Sequence, residues 1–159
     1  MTEQSFNYTP DETCEMIVQY LNLDETKSYC EPFSGNHNIF NLLPENKEYF
    51  EIQEGKDFFT CSKKYDVIIT NPPYRDYQTD RKNMVIDCFE KCFDVANEKC
   101  VFLVNNKMFN SLTPARLQKW ANIKWFITDI CIINIPKWYG RYYIMTFEYD
   151  KEPLINWIK

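Results

Sequence analysis

Two hydrophobic periods alternate along the chain. The β-branched run Val67-Ile68-Ile69, bounded by Tyr65-Asp66 and by the pair Pro72-Pro73, predicts a short, fully buried strand that stops abruptly. Cys100 to Val104 reads as a second buried strand, and residues 28–30 and 49–52 as shorter ones. Between them the period changes to that of a helix. Met16, Ile17, Tyr20 and Leu21 recur at helical spacing behind Thr9, Pro10 and Glu12, which read as an N-cap, a first-turn proline and the acid of a capping box. Met84, Val85, Cys88, Phe89, Cys92, Phe93 and Ala96 predict an amphipathic helix of about three to four turns. Thr113-Pro114 repeats the N-cap and proline signal before Leu117 and Trp120. The last third is β-rich, with 126–135 and 142–149 joined by a short link containing Gly140, which predicts an antiparallel pair.

Composition narrows the class. A chain of 159 residues suits one domain with an ordinary core, and 45% hydrophobic with 17% aromatic residues argues against disorder. No apolar run approaches the ~20 residues that span a membrane, and the start, MTEQSFNYTP, lacks a basic segment followed by an apolar one. Seven cysteines, an odd number without a CxxC pair or a histidine cluster, predict small core residues in a reducing, intracellular compartment, with no metal site. The net charge of −5 runs against non-specific nucleic-acid binding, so positive charge is either local or supplied by a partner. The Asn-, Lys- and Ile-rich, Gly-poor usage hints at an AT-rich genome, such as that of a virus or phage.

Chemistry enters at residues 71–74, Asn-Pro-Pro-Tyr, just past the carboxyl end of the core strand. In an open α/β sheet that edge binds ligands. Pro72 and Pro73 stiffen the loop, so the Asn71 amide oxygen and the Pro72 carbonyl form two fixed acceptors. Two acceptors facing one exocyclic amine orient it for in-line attack and stabilise the positive charge that grows on nitrogen. Tyr74 supplies a ring face for a planar base.

At these residues the sequence resembles the amino methyltransferases that use S-adenosylmethionine, and the NPPY form is most typical of the DNA N6-adenine branch. The resemblance extends to other segments in unpermuted order. Tyr8-Thr9-Pro10, in the stretch Phe6-Asn7-Tyr8-Thr9-Pro10, is similar to the N-terminal cofactor motif, which lies against the methionine end. Glu31-Pro32-Phe33-Ser34-Gly35, running on to Phe40, is similar to the first cofactor motif, with a glycine turn expected to lead into a helix N-terminus. His37 stands where that motif has its second glycine. It is either a surface bystander or a ligand contact, and it enters positive φ more readily than most residues. Glu51 implies the acid that takes both ribose hydroxyls, and Asp57 with Phe58 the pair that meets the adenine amino group and ring. Both acids are also readable as solvated loop residues.

The resemblance implies a Rossmann-like class I methyltransferase sheet, α/β and mostly parallel, closing in a C-terminal antiparallel hairpin. Only five residues separate Glu51 from Asp57, so the crossover helix there is expected to be missing and the third strand vestigial or absent. The polar stretch 75–83, carrying Arg75, Arg81 and Lys82, reads either as a loop placed to meet phosphate or as a solvated charge run. Trp138 and Tyr139, at the hairpin link, either sandwich a flipped base against Tyr74 or pack on the domain. The expected function is transfer of a methyl group from S-adenosylmethionine to an exocyclic amine, N6 of adenine in DNA before RNA. Alternatives are an RNA base, a protein glutamine, or a catalytically weak subunit that needs a partner. No segment is left for a separate target-recognition domain, so specificity is expected to be weak, carried by loops or supplied by another subunit.

Overall fold

A computed structural model describes residues 8–74 and 83–159. Arg75, Arg81 and Lys82 lie outside the described residues, as do Phe6 and Asn7. Among the described residues, six strands form one sheet: β1 (Tyr29–Glu31), β2 (Lys47–Tyr49), β3 (Tyr65–Thr70), β4 (Ala96–Asn105), β5 (Trp125–Ile133) and β6 (Tyr142–Tyr149), in the order β2-β1-β3-β4-β6-β5. The β2-β1, β1-β3 and β3-β4 pairs are parallel, while β6 runs antiparallel to both β4 and β5. This is the mixed α/β sheet expected, with its closing antiparallel strands.

Helices cover both faces, which is why β3 and β4 read as continuous hydrophobic runs. Val67, Ile69, Val101 and Leu103 face one cluster with Cys14 and Ile17 of α1 (Asp11–Leu21). Ile68, Cys100, Phe102 and Val104 face the other, against α2 (Met84–Val95) and α3 (Pro114–Asn122). That second layer is the aromatic centre of the molecule. Phe89 stacks on Phe102 with centroids 3.8 Å apart, Phe93 stacks on Trp125 at 5.1 Å, and Trp120 meets Phe147 edge-on at 5.5 Å. All seven cysteines are free thiols; six are buried and serve as small core residues, while Cys131 is only partly buried.

The sheet is complete on the β4–β6 side and reduced on the other. Between Tyr49 and Tyr65 the chain makes only two short 3₁₀ turns, Ile52–Glu54 and Phe58–Thr60, so neither crossover helix nor third strand is formed there.

Three expectations are corrected. The glycine turn after β1 does not enter an α-helix; it enters one 3₁₀ turn, Phe40–Leu42. Pro44 follows directly and holds Leu43 extended, at φ −73° and ψ 155°, which stops a helix from growing. Thr9 does not cap α1: the N-cap is Pro10, without a side-chain cap, because the Thr9 hydroxyl is engaged elsewhere. β2 also ends earlier than the alternation suggested, leaving Glu51 two residues beyond the strand.

Candidate functional site

Parallel strands β1 and β3 end side by side, and the segments after them carry most of the residues singled out by the sequence. Thr9 ties three of these segments together. Its hydroxyl accepts from Asn71 Nδ2 at 3.1 Å, and its carbonyl accepts from Asn38 Nδ2 at 2.8 Å and from the Cys14 thiol at 3.7 Å. With Nδ2 held by Thr9, the Asn71 amide presents Oδ1 as its acceptor. Pro72 is buried and Pro73 half-buried. The Tyr74 hydroxyl accepts from the Asn105 N–H at 2.7 Å and donates to the Leu103 carbonyl at 3.4 Å, which pins the loop to the end of β4. Burial holds that phenol well above its ordinary range. Beneath the loop, Thr70 Oγ1 is buried without a hydrogen-bond partner.

The turn after β1 is laced to residues 50–54. The Ser34 N–H donates to the Phe50 carbonyl, and the Gly35 N–H to Glu51 Oε2 at 2.7 Å. Gly35 has φ +56°, and a Cβ there would lie 2.8 Å from the Tyr8 ring, so a larger residue would be strained and would displace that ring. His37 takes φ +68°, as anticipated for a residue in a glycine's place. Its ring lies 4.3 Å from Tyr49, and it hydrogen-bonds Ser34 Oγ through Nδ1 at 2.7 Å and Glu54 through Nε2 at 2.8 Å. Glu31 is 2% exposed, and burial pushes its carboxyl up to about 8 despite the Ser34 hydrogen bond.

Glu51 caps the first 3₁₀ turn by accepting from the Gln53 N–H, and Asp57 caps the second by accepting from the Phe59 N–H. Phe58 belongs to the core at 2% exposure, while the half-buried rings of Phe33 and Phe59 pack around it at 5.5 and 6.4 Å. Pro32 is buried beside Glu31.

Not all the proposed contacts meet. Tyr139 is 97% exposed and packs on nothing, whereas Trp138 packs on Tyr142 at 5.1 Å and on the α1-side cluster. Tyr142 bears on Tyr74 through charge, its phenol adding a small upward push to the Tyr74 hydroxyl beside that of burial. Tyr142, Asn105 and Asn38 were missed by the sequence reading, since their roles come from pairings 29 to 37 residues distant and no local period signals them. Two open hollows, of about 410 Å³ between α2 and α3 and about 370 Å³ beside β2, contain neither Asn71 nor Gly35. Among the described residues no cluster of metal-ligating side chains occurs, and no helix is long and apolar enough to cross a membrane.

No family model matches the chain, and no curated protein matches it in sequence. Solved structures do match in fold. A Listeria monocytogenes protein assigned as a class I S-adenosylmethionine-dependent methyltransferase superposes with a TM-score of 0.70 at 16% identity, covering 96% of this chain and 65% of that one. The modification subunit assigned to a type I restriction enzyme of Vibrio vulnificus gives 0.63 at 12% identity, covering 94% and 46%. A Pyrococcus horikoshii protein assigned as an RNA methyltransferase gives 0.59 at 14% identity, covering 87% and 83%. This chain therefore has the fold of the class I methyltransferases, and spans less than half the length of the Vibrio subunit.

Proposed function

We propose that the protein is an S-adenosylmethionine-dependent methyltransferase acting on an exocyclic amine, N6 of adenine in DNA. The observation that carries this reading is the Asn71 amide, oriented by Thr9 at the carboxyl end of β3 and followed by two prolines.

The cradle fits the cofactor chemically. Gly35 lets the turn after β1 fold under the Tyr8 ring, Glu51 and Asp57 offer carboxylates for hydroxyl and amino groups, and Phe33 and Phe59 offer ring faces. S-adenosylmethionine, when bound, supplies a methyl group on a sulfonium sulfur. The chain's own task is to present the amine. Asn71 Oδ1 and the Pro72 carbonyl accept its two hydrogens, direct its lone pair, and stabilise the charge that develops on nitrogen. Tyr74, tethered through its hydroxyl, keeps the loop seated and offers its ring to the base. An adenine must be presented outside the helical stack to reach these groups. Basic residues Arg75, Arg81 and Lys82 give the segment after the loop a local positive charge suited to phosphate.

An RNA base is the second reading, supported by the resemblance in fold to the Pyrococcus protein. Calorimetric titration with S-adenosylhomocysteine, expected to give micromolar binding at about −8 kcal/mol, comes first. Transfer of labelled methyl groups to single-stranded DNA and RNA oligonucleotides then separates the two substrates. Binding without transfer to any adenine would overturn the substrate assignment, and no binding would overturn the enzyme reading in favour of a partner-dependent subunit.

A further inference from the structure

We propose that Glu31 and His37 share one ionising proton through the Ser34 hydroxyl, and that this shared proton holds the turn after β1 closed. Ser34 Oγ lies 3.0 Å from Glu31 Oε2 and 2.7 Å from His37 Nδ1, and a hydroxyl has a single hydrogen to give. At the other end of the ring, Nε2 lies 2.8 Å from Glu54 Oε1. Hydrogen bonds from Tyr49 and His37 hold the Glu54 carboxyl below its usual range, so Glu54 is an acceptor and Nε2 carries a hydrogen.

Two arrangements satisfy every group between Glu31 and Glu54. In one, a protonated Glu31 donates to Ser34, which donates to an unprotonated Nδ1. In the other, a protonated Nδ1 donates to Ser34, which donates to the Glu31 carboxylate. They contain the same number of protons and interconvert by transfer through the hydroxyl. Burial of Glu31 favours the first, in which both ends are neutral. Once the shared proton is lost, Glu31 and Nδ1 are both acceptors and Ser34 can serve only one.

The turn is sensitive to that loss. His37 sits at φ +68°, a conformation that persists only where its surroundings impose it. Its two ring hydrogen bonds and the Tyr49 ring are those surroundings. Other charged groups bear on the same place. Glu51 repels Glu31 and holds the Gly35 N–H; Lys56 lies 3.8 Å over the Tyr49 ring and attracts Glu54; Lys47 donates to the Phe40 and Leu43 carbonyls. From α1, burial first and then the Glu31, Asp11 and Glu15 carboxylates hold the Cys14 thiol up. None of these stands between Ser34 and His37.

The test uses the chain's single histidine, whose ring signals need no assignment among others. Ring nitrogen and carboxyl carbon shifts are followed by NMR from about pH 5 to about pH 10. In the unmodified protein, His37 and Glu31 are expected to report the same two inflections, as coupled groups do. In Glu31→Gln the ring is expected to titrate in one step with a changed midpoint, and Ser34→Ala, which interrupts the chain at its middle, gives the same test if the first variant does not fold. An identical His37 titration in all three proteins would overturn the proposal. The consequence for cofactor affinity rests on the methyltransferase reading: S-adenosylhomocysteine should bind several-fold more weakly above the second inflection, and without that dependence in Ser34→Ala. Coupled titrations with no cofactor binding would sink the methyltransferase reading and leave the shared proton standing. Independent titrations with good binding would do the reverse.

Discussion

At the mouth of α3, Thr113 Oγ1 accepts from the Arg116 N–H at 3.3 Å and Pro114 fills the first turn. At the mouth of α1 the same dipeptide, Thr9-Pro10, leaves the helix without a side-chain cap, and the hydroxyl binds Asn71, 62 residues away. Asp11 and Glu12 remain in that first turn to complement the helix dipole. A local rule is obeyed on the face remote from the candidate site and broken at the site itself. That is the pattern expected where function competes with stability. The hydroxyl that would add about 1 kcal/mol to a helix end instead fixes which end of the Asn71 amide is left as an acceptor.

The largest expected effect tests what the Thr9 corner is for. Asn71→Ala should lower kcat by about 100-fold or more, as removal of a group that stabilises developing charge does, with little change in melting temperature. Unchanged turnover would end the proposed mechanism. Glu31 comes next, because it gives this corner a pH response. Its carboxyl is raised from 4.5 to about 8 in the folded chain, so its contribution is fully present below 4.5 and lost as pH rises through about 8. Denaturant melts of the wild type should therefore lose on the order of a few kcal/mol across that window, and Glu31→Gln should flatten the profile. A parallel decline in the variant would show that the response arises elsewhere.

Smaller effects separate the two threonines. Thr9→Val keeps the shape and removes the acceptor for Asn71, so kcat should fall about tenfold, or roughly 1.4 kcal/mol, with S-adenosylhomocysteine affinity nearly unchanged and Thr9→Ser restoring the rate. Equal losses of affinity and turnover would mean that Thr9 holds cofactor and not Asn71. Thr113→Ala should remove about 1 kcal/mol of stability and leave methyl transfer unaltered. If it slowed transfer instead, the contrast between the corners would disappear.

How much of this was legible beforehand depends on the range of the interaction. β6 begins and ends where alternation placed it, at Tyr142–Tyr149, and α2 and α3 follow their helical period, except that Ala96 opens β4 instead of closing α2, because burial on one face imposes that period directly. The missing crossover helix and third strand were legible from spacing once the resemblance marked Glu51 and Asp57: five residues are too few for a helix and a full strand. The helix after Gly35 was misread, because the effect of Pro44 on Leu43 outweighed the glycine-turn pattern. The partners of the aromatic residues were not legible either. Trp138 and Tyr139 are neighbours in the chain, yet one packs on the sheet and the other faces solvent.

The sequence by itself determined β3, β6 and the bodies of α1, α2 and α3, since each follows from periodicity or proline stereochemistry, which act within a few residues. Only the tertiary structure decided what the polar groups do. Whether Thr9 caps a helix or holds Asn71, whether Glu51 stands free or takes the Gly35 N–H, and whether His37 is a bystander or joins Glu31 to Glu54 each depend on a hydrogen bond between segments that the sheet brings together. A donor has few hydrogens to give, and the fold chooses their acceptors.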